Sequence, residues 1–334
     1  MEIGKLDFHL LKRLLEKYTI LDPRVVIGPK IGEDAAVIDL GEGTDHYWVV
    51  TSDPITFTTE EIGYYGVVVN VNDVATRGAI PKWFLATLLF PEEEANGDFI
   101  ERVFRQIHQA CQRFGVSFVG GHTEVTPGIE RTLLVGHMIG EVRKERLVTT
   151  SGAKDGDLLL LVKGVCIEGT SILAREKGSE LLTRGIPSPL IEKARNFIFD
   201  PGIDILQAAL VACEAVPVHS MHDPTEGGLI NGVVETALAS EKELEVDFDK
   251  VYIYEESRIL CNAYAMDPLG VIASGALLLA ISSSDASQLE VAFQKASIPV
   301  QVIGKVKQGP ARVSTKDRKE IHPLSRDEIL KIYE

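Results

Sequence analysis

Gly63-Tyr64-Tyr65-Gly66-Val67-Val68-Val69-Asn70-Val71-Asn72-Asp73-Val74-Ala75-Thr76-Arg77-Gly78 is a valine-rich run bounded by glycines, and its pattern admits either a strand or a helix. Read as a helix at about 100° per residue, it places Val67, Val71, Val74 and Gly78 on one side and Asn70, Asp73 and Arg77 on the other. The second side is then a polar ridge. A solvated helix face would explain it, but two asparagines among valines are costly to bury without partners, so partners are expected.

Working upstream, Leu10, Leu11, Leu14, Leu15 and Tyr18 recur at helical spacing and predict an amphipathic helix over 7–18, ended by Asp22-Pro23. Residues 35–38 and 47–51 are short apolar runs about a turn at 41–45 and predict paired strands. Downstream, residues 98–114 carry an apolar stripe that puts Cys111 in the core. Strands at 117–119 and 133–135 are expected to flank a glycine-rich turn. The small, polar stretch 149–157 precedes an apolar strand at 158–162 and marks a boundary between domains at 1–152 and 153–334. Helical pattern follows near 169–177, 204–215 and 225–239, with strands near 276–281 and 300–304. A chain of 334 residues exceeds the usual size of a single core, so the expected class is α/β or α+β in two domains.

The formal net charge is −15, which argues against nucleic acid as a partner, because gripping phosphates by bulk electrostatics needs a basic surface. An anionic ligand here would need divalent metal held on carboxylates. The four cysteines are widely spaced with no C-x-x-C pair, the first residues lack the apolar core of a signal peptide, and no run approaches a membrane span. A cytoplasmic protein with reduced thiols is expected. No G-x-x-x-x-G-K-[ST] loop, strand-linked G-x-G-x-x-G or kinase signature occurs, so a nucleotide site would follow another plan.

Candidate chemistry lies in short clusters. Asp34 opens an apolar run and Asp53 closes one, so both carboxylates would project from strand ends, although Asp is also a common turn former. His222-Asp223-Pro224-Thr225-Glu226 reads as a helix start with Asp223 as cap and Glu226 completing a capping box, and a helix N-terminus also suits phosphate and its metal. His122 and His222 invite a zinc reading, yet neither has a second ligand in helical register. Lys163 could neutralise a transferred phosphate or lie on the surface. Cys166 is the cysteine to test for reactivity.

In order along the chain, Gly32-Glu33-Asp34-Ala35-Ala36-Val37, Asn72-Asp73-Val74-Ala75-Thr76-Arg77-Gly78-Ala79-Ile80-Pro81, Gly120-Gly121-His122-Thr123-Glu124-Val125, Glu168-Gly169-Thr170, Asp223-Pro224-Thr225-Glu226-Gly227-Gly228-Leu229 and Ala273-Ser274-Gly275-Ala276-Leu277-Leu278 resemble the signature of the AIR-synthase-like (PurM-like) superfamily, over roughly residues 28–280. The hydrogenase-maturation, HypE-type branch is the most similar. The resemblance implies an N-terminal α/β domain that dimerises through its sheet, a C-terminal α/β domain that faces substrate, and use of ATP with Mg²⁺. It implies metal ligation by Asp34, Asp53, Asp73 and Asp223, nucleotide binding by Asn70, Asn72, Gly120, Gly121, His122 and Thr123, and catalytic roles for Asp53, Lys163 and Glu168.

The implied reaction is phosphorylation of an amide-like or other oxygen acceptor, small or protein-borne. The implied alternative is a non-catalytic nucleotide-binding assembly factor that meets other maturation proteins. Three departures stand out. Cys261 is the last cysteine, whereas the HypE branch modifies a C-terminal one. His122 stands where HypE carries Asp, with Glu124 two residues on. The glycine-rich loop with reactive Cys and Lys of selenophosphate synthesis is missing.

Overall fold

A computed structural model describes residues 4–333. The chain divides into two compact units, one holding residues 21–28 and 35–147, the other holding the segment up to Ile20, residues 29–34 and everything from Val148 onward. The opening helix, α1 (Phe8–Tyr18), belongs to the second of these; Asp7 caps it by accepting from the Leu10 amide, and none of its residues is fully buried.

The first unit is a six-stranded sheet carrying two helices. Its elements are β1 (Val25–Ile27), β2 (Ala36–Asp39), β3 (His46–Ile55), α2 (Ile62–Thr76), β4 (Ile80–Phe90), α3 (Gly97–Phe114), β5 (Ser117–Val125) and β6 (Leu133–Arg143). The strand order is β1-β2-β3-β6-β4-β5. Only β4 and β5 run parallel, joined by α3 as a crossover; the other pairs are antiparallel. The valine run is the helix α2, and every one of its residues is buried. Apolar cover on all sides hides a 3.6-residue period, which is why the sequence left helix and strand open. The expected polar ridge is therefore an interior one.

Close packing of α2 on the sheet rests on glycine. A Cβ at Gly140 of β6 would collide with Val74 and lie 2.8 Å from the Ile80 carbonyl. One at Gly136 would meet Asn70 and the Gly66 carbonyl. Gly120 and Gly121 are a correction to the sequence reading: they lie within β5, not in a turn. Gly121 has φ +139° and no room for a Cβ beside the Ala86 carbonyl, so parallel pairing with β4 demands glycine there.

The second unit contains β7 (Leu158–Val162), α4 (Ile167–Glu176), α5 (Gly178–Thr183), α6 (Ser188–Arg195), α7 (Leu206–Ala215), β8 (Val218–His222), α8 (Gly228–Ser240), β9 (Glu243–Val246), α9 (Glu255–Ala263), β10 (Leu277–Ile281), α10 (Ala286–Lys295), β11 (Val300–Lys307), β12 (Arg312–Thr315) and β13 (Glu320–Ile321). The seven-stranded sheet runs β13-β12-β9-β11-β7-β10-β8. Its core joins Leu159, Leu161, Leu244, Val246, Leu278 and Ile303 to the apolar side of α8.

The capping box expected at Asp223 does not form. Helix α8 starts at Gly228, and its cap is Gly227 in the left-handed region, φ +80°, with no side-chain cap of its own. Asp327 instead accepts from the Gly227 amide at 2.6 Å. A carboxylate from a hundred residues away thus does the work that a local carboxylate was expected to do, and Asp223 is released from it.

Candidate functional site

Two groups of carboxylates form, one in each unit. In the six-stranded unit, Asp53 lies on β3 and Asp73 on α2. The Thr51 hydroxyl lies 2.5 Å from Asp73 Oδ2 and 3.2 Å from Asp53 Oδ2, so one hydroxyl links the two acids. The Asn70 side chain braces them: its carbonyl accepts the Asp53 amide at 3.2 Å and its NH₂ donates to the Gly66 carbonyl at 2.8 Å. Asn70 and Asn72 are wholly buried. In this chain Asn70 holds Asp53 in place from behind.

Register carries this group across the sheet. Asp53 pairs with Gly136, Gly136 with Ala86, and Ala86 with Gly121, so Asp53 and Gly121 stand on one row at opposite ends of three strand spacings, roughly 14 Å. Next along β5, His122 Nε2 lies 2.9 Å from Glu124 Oε2, and the Thr126 hydroxyl donates to Glu124 Oε1 at 2.7 Å. These hydrogen bonds, from Thr126 first and then His122, hold the Glu124 carboxyl below its ordinary range. Gly120, Gly121, His122 and Thr123 are all exposed.

In the other unit, the end of β8 delivers His222 and Asp223 to Asp34. Ligand atoms of these three residues lie within 4.8 Å of one another. His222 Nδ1 is 2.7 Å from Asp34 Oδ1, and Nε2 is 3.0 Å from Glu235 Oε2 on α8. Lys5 closes the far side, 3.3 Å from Glu235 and 3.4 Å from the Thr225 hydroxyl. Burial alone would lower the His222 pKa, but Asp34 and Glu235 push it up to about 10. Burial likewise disfavours charge on Glu235, and Lys5 with His222 reverses this, leaving its pKa lowered. Glu33, beside Asp34, accepts from the Thr150 and Ser151 amides, which fixes the segment that carries Asp34.

Two further sequence candidates lie in this unit. Lys163 has φ +61°, and its ammonium donates to the Gly202 and Asp204 carbonyls at 2.9 and 2.7 Å, which pins the 200–204 loop. Glu168, on the first turn of α4, is buried; desolvation chiefly, with Asp327 and Glu226 adding negative charge, pushes its carboxyl up to about 7, and the nearby Ser274 offsets only part of this. Cys166 is fully buried, its Sγ 3.6 Å from that of Cys261.

The structure thus gathers Asp34 with Asp223, and Asp53 with Asp73. It sets the β5 residues on the Asp53 row and gives Lys163 a structural bond. Sequence reasoning missed Thr51, His222 and Glu235 as site members. Glu235 carried a signal: an acid in the middle of the apolar helix Gly228–Ser240 must find a partner if it is buried. Both acid groups fit divalent cations: ligand atoms of Asp34, His222 and Asp223 lie within 4.8 Å of one another, and Asp53 and Asp73 meet at the Thr51 hydroxyl.

Known proteins with this plan are numerous. The family model described as AIR synthase related protein, N-terminal domain, matches residues 32–142, and its C-terminal counterpart matches residues 154–316. A Methanocaldococcus jannaschii protein named for hydrogenase expression/formation is 27% identical over 85% of this chain and 82% of its own length. Thiamine-monophosphate kinase of Pyrococcus horikoshii is 28% identical over 90% of this chain and 91% of its own. Among solved structures, hydrogenase maturation protein HypE in complex with ATP superposes with a TM-score of 0.71 at 23% identity, covering 95% of this chain and 96% of that one, which shows the shared fold. By both of its domain matches, the chain belongs to the AIR synthase related family.

Proposed function

We propose that this chain is an ATP- and Mg²⁺-dependent enzyme that phosphorylates an amide-like or other oxygen acceptor. The observation that carries the proposal is the convergence of Asp53 with Asp73 and of Asp34 with Asp223, acids far apart in the chain and collected into two groups. A bound divalent ion neutralises triphosphate charge and orients the transferred group. The chain's own residues do the rest. Asn70 and Thr51 fix the angles of Asp53 and Asp73, the Gly120-Gly121 backbone offers close approach on the same sheet row, and Glu168, protonated near neutrality, is able to hold a proton away from water. The relative named as a kinase supports the reading.

We propose the active form as a homodimer that joins β5 edges, because all nine residues of that edge strand are exposed. Among the described residues no helix is long and apolar enough to cross a membrane.

The test is Mg²⁺-dependent ADP release by the purified protein across a panel of acceptors. Turnover that disappears in Asp53→Asn supports the enzyme. Lys163 favours a second reading, since its ammonium is engaged by two carbonyls, and so does the relative named for hydrogenase expression/formation. On that reading the chain is a nucleotide-binding assembly factor for hydrogenase or another metallocentre. Tight ATP binding without turnover over the whole panel would replace the first reading by the second.

A further inference from the structure

Two of the four cysteines face each other inside the second unit. Cys166 is the N-cap of α4 and Cys261 lies in the last turn of α9; both are wholly buried, and their sulfurs are 3.6 Å apart. We propose that Cys166 and Cys261 are a peroxide-oxidisable pair that closes to a disulfide and locks the start of α4, with Glu168 on its first turn, against α9. This chemistry is the chain's own and needs neither ATP nor an acceptor.

Three observations support it. First, the two helices pass in opposite directions and meet at two points one turn apart. Cys166 meets Cys261, and the Thr170 hydroxyl, one turn further along α4, lies 2.6 Å from that of Ser257, one turn earlier on α9. The hydroxyl pair keeps the helices in register while the sulfurs close to about 2 Å, a movement little longer than a bond. Second, Lys163 and Cys166 both take φ +61° on either side of Gly164-Val165. Left-handed strain at two residues with side chains favours local opening of this short segment, and a molecule as small as peroxide needs no more than that. Third, the two sulfurs suit different roles. Contact with Cys166 first, and burial second, raise the Cys261 thiol well above its ordinary value, which fits Cys261 to resolve rather than to attack. The Cys166 sulfur attacks one oxygen of hydrogen peroxide, the O–O bond breaks, and the leaving hydroxide takes the thiol proton as water, so that a sulfenic acid forms. The Cys261 sulfur then attacks that sulfur, the S–O bond breaks, and the hydroxyl leaves with the Cys261 proton as a second water. Two thiols and one peroxide become one disulfide and two waters.

The experiment uses the full chain without nucleotide, reduced, freed of reductant and treated with millimolar hydrogen peroxide. Thiols are then counted by alkylation in denaturant and located by peptide mass. Of the four cysteines, Cys166 and Cys261 are expected to resist alkylation, joined in one crosslinked peptide pair that has lost two hydrogens and is released by dithiothreitol. Oxidation is expected to raise the melting temperature by about 5 °C, because the bridge spans 95 positions of the chain. Cys166→Ala and Cys261→Ala should each abolish the crosslink and the rise, and Cys261→Ala should leave a sulfenic acid at Cys166 that dimedone traps. Four alkylated cysteines after oxidation, a bridge that uses Cys111 or Cys213, or Cys166 over-oxidised beside a free Cys261 overturns the proposal. Each of these results comes from the wild-type chain, so no variant has to fold. A Cys166–Cys261 bridge that leaves the melting temperature unchanged or lower overturns the lock.

Discussion

Among the described residues no cation offsets the burial of Glu168, and the nearby acids Asp327 and Glu226 make ionisation harder. Its carboxyl titrates near pH 7 in the folded chain, against an ordinary value of 4.5. Between these values the folded state keeps a proton that the unfolded state has lost. Stability therefore falls as pH rises from about 4.5 to 7 and levels off above, by on the order of 3 kcal/mol from this residue alone. Asp327, pushed up to about 6 mainly by burial, adds a slope of the same sign at lower pH. Urea unfolding of wild type and Glu168→Gln from pH 5 to 8 measures the effect. The variant should lose part of the decline and be the more stable protein at pH 8. Equal slopes would mean that Glu168 is ionised and paired in solution.

Helix α2 owes its position to what its neighbours lack. A methyl group at Gly140 has nowhere to go between Val74 and the Ile80 carbonyl, so Gly140→Ala should lower stability by about 1–3 kcal/mol. Gly97, at the start of α3 with open space around its Cβ position, is the control, and Gly97→Ala should leave the melting temperature unchanged or raise it. Matching losses in both would remove the packing argument.

The same helix marks how far the sequence could be read. Amphipathic α3 and the paired strands β2 and β3 have one face in the core, so their periodicity was visible. Helix α2 is covered on every side and its class was not. Glycines at 120 and 121 suggested a turn because the parallel neighbour that requires them is recognisable only in three dimensions. The start of α8 was misplaced for a related reason, since Asp327, its cap, comes from the far end of the unit. The acids of the site were legible through their ordered clusters. His222 was passed over as a ligand because its partners Asp34 and Glu235 stand at no helical spacing from it.

At the scale of the whole molecule, β5 poses the remaining physical problem. It pairs with β4 on one side and lies at the end of the sheet order, and Phe118, Val119 and Val125 are exposed along it. Charge, proline or a short length usually protects such an edge, and this nine-residue strand has Glu124 as its single ionised acid. A second copy pairing edge to edge would satisfy the open backbone groups and cover the valines. The expected solution mass is then about twice 36.6 kDa. Val119→Glu should yield a particle of half that mass, because each copy would bury a carboxylate against an apolar strand. Its melting temperature should become independent of protein concentration, which that of the wild type should not be. Since Gly120, Gly121 and His122 share this strand, the monomeric variant should also bind ATP more weakly while Asp53 and Asp73 remain intact. Analytical ultracentrifugation with a nucleotide titration measures both effects, and a wild-type monomer, or a Val119→Glu dimer, would detach the β5 residues from any role in assembly.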